Sequence, residues 1–452
     1  MRTAEQRCFD AGIDQATLME RAGTAVAREA MRFALGRPVL VLAGPGNNGG
    51  DAYAAARLLH SWGCDVTVAA LGSKKSGAAA DMRRRWTGPT VALADAAPRA
   101  VLVDGLFGTG MSRPLETDVR EALHRLVGAA DFSLAIDLPS GLATDSGEDL
   151  GLAPVSATCA LGALKPAHVL MPGAACCGHV RLVDIDIACP DSTRTIARPR
   201  LTPPARDAHK YRRGMVAVVA GAMPGAAHLA ARATLHAGAG YVLLASGDPQ
   251  HRSPDALVRR KIADADDLAE LLADARIGAA VIGPGLGSGN HARALLDAAL
   301  ASDRPLIIDG DALTLLGEDA VRRLSTRDAR SWLTPHEGEF VRLFGDGGGN
   351  KIDRTRQAAQ RAGATIVHKG PDTVIADPDG NVHIADTGTS WLSTAGTGDV
   401  LAGICGARMA CGDESAADAA IWLHARAARL TGAAFMADDI VAPIASAVAE
   451  CL

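Results

Sequence analysis

Three glycine- and acid-bearing stretches in the first half of this sequence could do chemistry together. GPGNNGGDAY (44–53), VDGLFGTG (103–110) and IDLPSGL (136–142) each close a run rich in Val, Ile or Leu. Such runs read as strands of a parallel sheet, and ligands of open α/β sheets sit beyond the carboxyl ends of strands. Asn47, Asn48, Asp51, Asp104, Asp137 and Ser140 are therefore expected to collect at one edge. Their amide, carboxylate and hydroxyl oxygens suit a group I or II cation rather than zinc. The glycine-rich turn before a helix offers backbone N–H groups to an anion such as phosphate. Asp137 is a candidate general acid/base. Gly44, Gly46 and Gly49 match G-x-G-x-x-G, but the following strand ends AALGSKK, without the acid that holds a ribose, which weighs against a simple NAD oxidoreductase. Ser140 lies in LPSGL, which fails the G-x-S-x-G pattern of a hydrolase nucleophile.

The second half carries another set. TAGTGD (394–399) places Gly396 and Gly398 before Asp399, which opens an apolar helix. Small residues at a helix start let backbone wrap a phosphate, and a carboxylate there can take the proton of a hydroxyl attacking a phosphoryl group. There is no G-x-x-x-x-G-K-[ST], so this is not a P-loop NTPase. LTPHEGEF (333–340) is not H-E-x-x-H, because Phe340 stands at the second His position, which excludes a zincin. His336, Lys369 in HKGPDT, the GPGLGSG loop (283–289), and Asp309 and Asp311 in IIDGDAL all fall at predicted strand ends. Arg83 to Arg85 read as a solvated helix face.

Elements must position these groups. Strands are expected at 38–43, 65–71, 100–104 and 132–137, with helices at 14–35, 52–62 and 117–127. After 187–209, which has four prolines and reads as a linker, strands are expected at 215–220, 241–245, 278–282, 305–309, 331–334 and 364–368, and a hairpin joins 372–377 to 381–386. Helices are expected at 225–237, 290–300, 311–317, 352–362, 399–410 and 415–432. The 452 residues form two α/β domains, 1–198 and 205–452. Only 15 aromatics (7 Phe, 5 Trp and 3 Tyr) argue against a stacking platform for single-stranded nucleic acid. A net charge of −5 supplies no field that draws nucleic acid or anionic lipid. Nine cysteines without C-x-x-C, and an N-terminus lacking an apolar signal core, predict reduced thiols in the cytoplasm.

These motifs carry a resemblance. GPGNNGGDAY, VDGLFGTG, DLPSGLATDSG and LKPAH, in this order over about 1–190, resemble the NAD(P)H-hydrate epimerase domain. The resemblance implies a Rossmann-like three-layer fold. It further implies that Asn47, Asn48, Gly49, Gly50 and Asp51 hold the substrate's phosphate region, and that Gly108, Thr109, Gly110, Met111, Ser112, Arg113, Pro114 and Asp137 contact substrate. Asn48, Asp104 and Ser140 would ligate K+. HKYRRGMVAVVAG, VIGPGLG, LIIDGDALTLL, LTPHEGEF, HKGPDTVIAD and TAGTGDVLAGICG, over roughly 205–452, resemble the ADP/ATP-dependent NAD(P)H-hydrate dehydratases of the ribokinase-like superfamily. That implies Ala226, Gly285, Gly287, His336 and Asp399 at the hydrated nucleotide, with Asp399 as base. Lys369, Gly370, Pro371, Asp372, Thr373 and Gly398 would hold ADP or ATP, with Mg2+ bridging its phosphates. Departures from the family pattern are Pro224 in GAMPG, Gly310, Tyr211 and Arg212.

The implied function is repair of hydrated nicotinamide nucleotides: epimerisation of R- and S-NAD(P)HX, and dehydration of the S form at the expense of ADP or ATP. The expected partners are NADHX, NADPHX, ADP or ATP and further copies of the chain, with no nucleic acid and no membrane. A small-alcohol kinase of the ribokinase superfamily, and a first domain that only binds nucleotide or scaffolds a partner, are the alternatives. TPHEGE and the attached NNGGD domain weigh against the former, and Asp104, Asp137 and Ser140 together against the latter.

Overall fold

The computed structural model describes residues 2–72, 76–189, 192–248, 254–386, 388–412 and 416–452. Ser73 to Lys75 of the AALGSKK run, Pro190 and Asp191 of the predicted linker, and residue 415 of the expected helix 415–432 lie outside the described residues. The chain divides into two compact units, Met1–Asp191 and Ser192–Leu452.

The first unit is a seven-stranded parallel sheet: β1 (Val39–Ala43), β2 (Val66–Ala70), β3 (Thr90–Ala92), β4 (Val101–Gly105), β5 (Phe132–Ile136), β6 (Ala157–Leu161) and β7 (His179–Val183). The spatial order is β3-β2-β1-β4-β5-β6-β7. Side chains alternate across a strand. Val39, Val41 and Ala43 of β1 therefore pack with the helices Gln15–Ala34 and Asn47–Ser61, while Leu40 and Leu42 pack with Thr117–Gly128 on the opposite face. Burial on both faces is why β1 reads as one continuous apolar run. The order reverses between β1 and β4, which is where a doubly wound sheet opens a crevice. β6, β7 and β3 escape the sequence reading: β7 (HVRLV) is half exposed, β3 has three exposed residues, and β6 (ATCAL), though buried throughout, is interrupted by Thr158 and lacks Val or Ile.

The second unit holds a ten-stranded sheet: β8 (Thr193–Thr195), β9 (Met215–Val219), β10 (Tyr241–Ser246), β11 (Val258–Lys261), β12 (Ile277–Ile282), β13 (Leu306–Ile308), β14 (Ser331–Leu333), β15 (Thr365–His368), β16 (Asp372–Ala376) and β17 (Val382–Asp386). The order is β11-β10-β9-β12-β13-β14-β15-β16-β17-β8. Pairing is parallel from β11 through β15, and β15, β16 and β17 are antiparallel in turn. Thr193–Thr195, which the sequence places in the linker, is the edge strand, parallel to β17. Val216, Val218 and Ala220 pack with buried residues of Pro224–His236, Thr397–Cys411 and Ala416–Thr431. Among the described residues no helix is long and apolar enough to cross a membrane.

At the carboxyl edge of each sheet neighbouring loops meet through a missing side chain, in the first unit at the switch point itself and in the second between β12 and β13. A Cβ on Gly44, after β1, would overlap the carbonyl of Leu106, after β4. A Cβ on Gly283, after β12, would overlap the carbonyl of Asp309, after β13. Gly289, in contrast, has open space around its Cβ position. Gly44→Ala and Gly283→Ala should each lower stability by about 1–3 kcal/mol, the usual cost of overpacking. Gly289→Ala should stay within about 0.5 kcal/mol of the parent. Thermal unfolding of the three variants checks this, and equal midpoints would refute it.

Candidate functional sites

In the first unit the helix Asn47–Ser61 begins directly after β1, with Gly46 as its N-cap and no side-chain cap. The first N–H groups of this helix are therefore left for another acceptor. Asn47 is exposed at that start and Asn48 is buried, with an Nδ2 that has no hydrogen-bond partner. Gly49 and Gly50 are also buried, and packing accounts for both. A Cβ on Gly49 would overlap the Gly44 carbonyl, and one on Gly50 would crowd Met19 and Ala79.

Asp104, at the end of β4, is 1% exposed. Its Oδ2 accepts from the Ser140 N–H at 2.8 Å, and its Oδ1 from the Ser140 hydroxyl at 2.7 Å and the Leu106 N–H at 3.2 Å. The Phe107 N–H donates to Ser140 Oγ at 2.9 Å, and a Cβ on Gly108 would lie 3.0 Å from Asn48 Oδ1. Asn48, Asp104 and Ser140 thus converge, as the residue types suggest. Burial raises the Asp104 carboxyl above its ordinary range, against the pull of the Ser140 and Leu106 hydrogen bonds. Among the described residues no Lys or Arg pairs with it.

The loop 108–114 runs beside Ser140 to Thr144. The Gly110 N–H donates to Thr144 Oγ1 at 3.1 Å, and the Gly141 N–H points to Met111 Sδ at 3.3 Å. Thr109, Ser112, Arg113 and Pro114 are exposed. Asp137 is buried after β5, at φ +63°, a conformation that non-glycine residues rarely adopt. Its carboxylate pairs with Lys165, and its backbone carbonyl meets His168 Nε2 at 2.6 Å. Sequence reasoning left Lys165 and His168 without a role; LKPAH was the available signal. Asp51 stands nearby electrostatically. Its carboxyl is pushed well above the ordinary range by burial first, then by the charges of Asp137 and Glu5, with Lys165 opposing.

In the second unit the loops after β12, β13, β14 and β15 meet the start of the helix Thr397–Cys411. Lys369 Nζ donates to Asp309 Oδ1 at 2.8 Å, and the Thr334 hydroxyl donates to the same oxygen at 2.6 Å. Burial alone would lower the Lys369 ammonium, but Asp309, Glu339 and Asp399 raise it overall, so it stays charged. The Cβ position of Gly398 lies 3.5 Å from Lys369 Nζ and 3.8 Å from Asp309 Oδ2. Asp399 follows, half-buried, and its carboxyl is pushed up to about 6, by burial first and then by Asp309 and Asp311, against Lys369. A carboxylate so tuned is poised to accept a proton near neutral pH.

Asp311 Oδ2 accepts from the Gly287 N–H at 2.7 Å, and a Cβ on Gly285 would lie 3.0 Å from Ala226 Cβ. The Lys369 N–H donates to the Pro335 carbonyl at 2.8 Å, beside His336. Ala226, Gly285, Gly287, His336, Lys369, Gly398 and Asp399 therefore share one carboxyl edge. His336 is exposed and caps the helix Glu337–Phe344, its Nδ1 accepting from the Glu339 N–H at 3.3 Å. Asp372 and Thr373 stand differently. The Asp372 carboxylate pairs with Lys351 Nζ at 2.7 Å, and the Thr373 hydroxyl donates to the Gly370 carbonyl at 2.8 Å. The exposed Pro371 and the half-buried Gly370 complete that turn. A cavity of about 390 Å³ opens beside this edge, lined by Ala222, Leu244, Leu286 and Gly287 among others; Asp399 is not part of its lining.

Fold and sites together define a two-unit α/β enzyme class, a Rossmann-like unit followed by a ribokinase-like one, each with carboxylates and glycine loops at the carboxyl edge of its sheet. The family described as NAD(P)H-hydrate dehydratase matches residues 216–446, and the one described as YjeF-related protein N-terminus matches 15–167. The bifunctional NAD(P)H-hydrate repair enzyme of Mycobacterium tuberculosis is 36% identical over 420 residues, covering 89% of this chain and 86% of that protein. That of Coxiella burnetii is 33% identical over 464 residues, covering 95% and 93%. A ribokinase-like superfamily protein from Enterococcus faecalis shares the fold, with a TM-score of 0.51 and 22% identity over 59% of this chain and 99% of that one. The chain belongs to the bifunctional NAD(P)H-hydrate repair enzymes.

The raised Asp399 carboxyl has a signed consequence. A carboxyl that binds its proton more tightly folded than unfolded favours the folded state at low pH, and that contribution is lost as pH rises through the folded value. Stability should therefore fall between about pH 4 and about pH 6 on account of Asp399. Asp399→Asn, which carries no charge to desolvate, should unfold at a higher temperature than the parent at pH 8 and match it near pH 4. A variant no more stable at pH 8 than the parent would count against this environment.

Proposed function

We propose that the second unit dehydrates the S epimer of NAD(P)HX at the expense of ADP or ATP, and that the first unit interconverts the R and S epimers. The observation that carries this reading is the Lys369–Asp309–Asp399 cluster beside Gly398, a cation and a tuned base at one helix start. Asp399 takes the proton of the C6 hydroxyl as that oxygen attacks the terminal phosphoryl group. Phosphate then leaves C6 while the neighbouring C5 loses a proton, restoring the dihydronicotinamide ring and releasing AMP or ADP. Lys369 and the N–H groups at the start of Thr397–Cys411 hold the nucleotide phosphates, with Gly370 to Thr373 as the adjoining turn. Ala226, Gly285, Gly287 and His336 border the hydrated nucleotide.

Mg2+, when bound, would supply charge neutralisation at the nucleotide phosphates. A nearby Asp309 and Asp311 suit it, since hard oxygen donors match a hard cation. In the first unit Asp104, buried with no cationic side chain beside it among the described residues, and the oxygens of Ser140 and Asn48 fit K+. Bound there, K+ would offset the buried charge and fix the 104–108 loop. Asn47 to Asp51 and the 108–114 loop border the substrate, with Asp137 as its acid/base. Joining the units makes chemical sense, because the first regenerates the epimer that the second consumes.

Purified protein given S-NADHX, Mg2+ and ADP or ATP side by side should restore the absorbance of NADH. Asp399→Asn should slow this by about 10²–10⁴-fold, the usual worth of general base catalysis, and leave interconversion of the epimers intact. No NADH with either nucleotide would end the dehydratase reading. A stable phosphorylated product instead would favour the small-alcohol kinase.

A further inference from the structure

The first unit buries a cation that no role above has used. The Lys165 side chain is 4% exposed and its partner Asp137 10%. Lys165 Nζ pairs with Asp137 Oδ1 and donates to the Leu161 carbonyl at 2.7 Å, and the Leu161 N–H donates to the same Oδ1 at 3.0 Å. One carboxylate oxygen is thus anchored twice. Among the described residues Oδ2 accepts no hydrogen bond, yet it is not one of the sealed, unpartnered polar atoms of the interior.

His168 locks this pair from behind. The Lys165 N–H donates to Nδ1 at 2.9 Å, so the ring carries its proton on Nε2 and donates it to the Asp137 carbonyl at 2.6 Å. Burial pushes the imidazole below its ordinary value, against Asp137, and keeps it neutral. Lys165 and His168 together hold a residue whose backbone sits at φ +63°. Strained backbone of this kind persists only where its surroundings over-determine it, and it concentrates at functional sites.

We propose that Lys165 is a positioning residue for epimerisation: its buried ammonium anchors Oδ1 of Asp137 so that Oδ2 exchanges a proton with the oxygen at C6 of the hydrate. This rests on the epimerase reading of the first unit. The chemistry balances without an oxidant. The C6–O bond breaks as the N1 lone pair forms an N1=C6 bond, and the leaving hydroxide takes a proton from one carboxyl. Water then adds to the other face of C6, the N1 lone pair is restored, and the water's proton passes to a carboxylate. Two carboxyl groups in different proton states serve such a sequence. Asp51, on the helix Asn47–Ser61 that starts at the carboxyl end of β1, is the second; burial first, then the charges of Asp137 and Glu5, push its carboxyl well above the ordinary range, with Lys165 opposing. The charged and titratable groups that meet here are thus Asp137, Lys165, His168, Asp51 and Glu5.

The test starts from pure R epimer of NADHX without nucleotide and follows the S epimer by chromatography across pH, using the full chain. Wild-type protein that fails to interconvert the epimers refutes the epimerase reading itself, separately from this proposal. With active wild type, Lys165→Met should lower kcat about 100-fold, change KM less than threefold and move the acid limb of the pH profile upward. Lys165→Arg, which keeps the cation, should restore that limb. A Lys165→Met kcat within threefold of wild type, a loss through KM alone, or an unmoved acid limb would overturn the proposal. Should Lys165→Met fail to fold, His168→Gln decides: a fall in kcat at unchanged KM supports the anchor, and an unchanged kcat overturns it.

Discussion

The close approach of two backbones at the carboxyl edge of each sheet is the constraint on which the rest depends. Gly44 against Leu106 joins the loops after β1 and β4, which are adjacent in the sheet but separated by two strands in the chain, and Gly283 against Asp309 joins the loops after the successive strands β12 and β13. In the first unit that contact sets the glycine-rich helix start beside Asp104, and hence Asn48 beside Gly108. In the second it sets the 283–289 loop beside Asp309, and hence Gly287 within reach of Asp311. A side chain at either glycine would separate the polar groups that each edge gathers. The glycines of these loops are therefore partly a packing requirement and only partly an anion-binding one.

The two units also share a second device. Each sets a lysine against a buried strand-end aspartate, the buried Lys165 with Asp137 and the half-buried Lys369 with Asp309. A buried ion pair adds little net stability, because desolvation offsets the attraction, but breaking one is costly. Such pairs are better understood as fixing geometry and charge. In the second unit Lys369 moderates the upward push on Asp399, which would otherwise hold its proton still more tightly. The same cation serves the phosphate edge and the base.

The elements that sequence reasoning placed are those with continuous apolar runs buried on both faces, such as β1, β4, β9 and β12. Those it missed lack a continuous run of large apolar residues: TRT of β8 has no hydrophobic residue, HVRLV of β7 is half exposed, and ATCAL of β6, though buried throughout, is broken by Thr158 and built largely of small residues. The acids were legible at the strand ends Asp104 and Asp137 and at the helix start Asp399 because glycines mark them. Lys165 was not, since a lysine after a strand ordinarily reads as solvated. Only a pairing across 28 residues of chain shows what it does. Asp372 illustrates the converse: its motif is legible, but Lys351, which holds it, lies 21 residues upstream in a helix of ordinary appearance.

β8 changes how the second unit can be excised. Its three residues precede every other strand of that sheet, pairing Val382, His383 and Ile384 with Thr193, Arg194 and Thr195. Arg356 clasps Thr193 at 2.8 Å, and Leu201 bonds the carbonyl of Cys451 near the far end of the chain. A fragment begun at the proline-rich run, where composition invites a cut, would strip this strand and leave the outer edge of β17 unpaired. Open edges of that kind recruit other chains. A fragment begun at Ser192 keeps β17 paired along that side, and so guards against self-association through β17 that would otherwise be mistaken for a natural assembly.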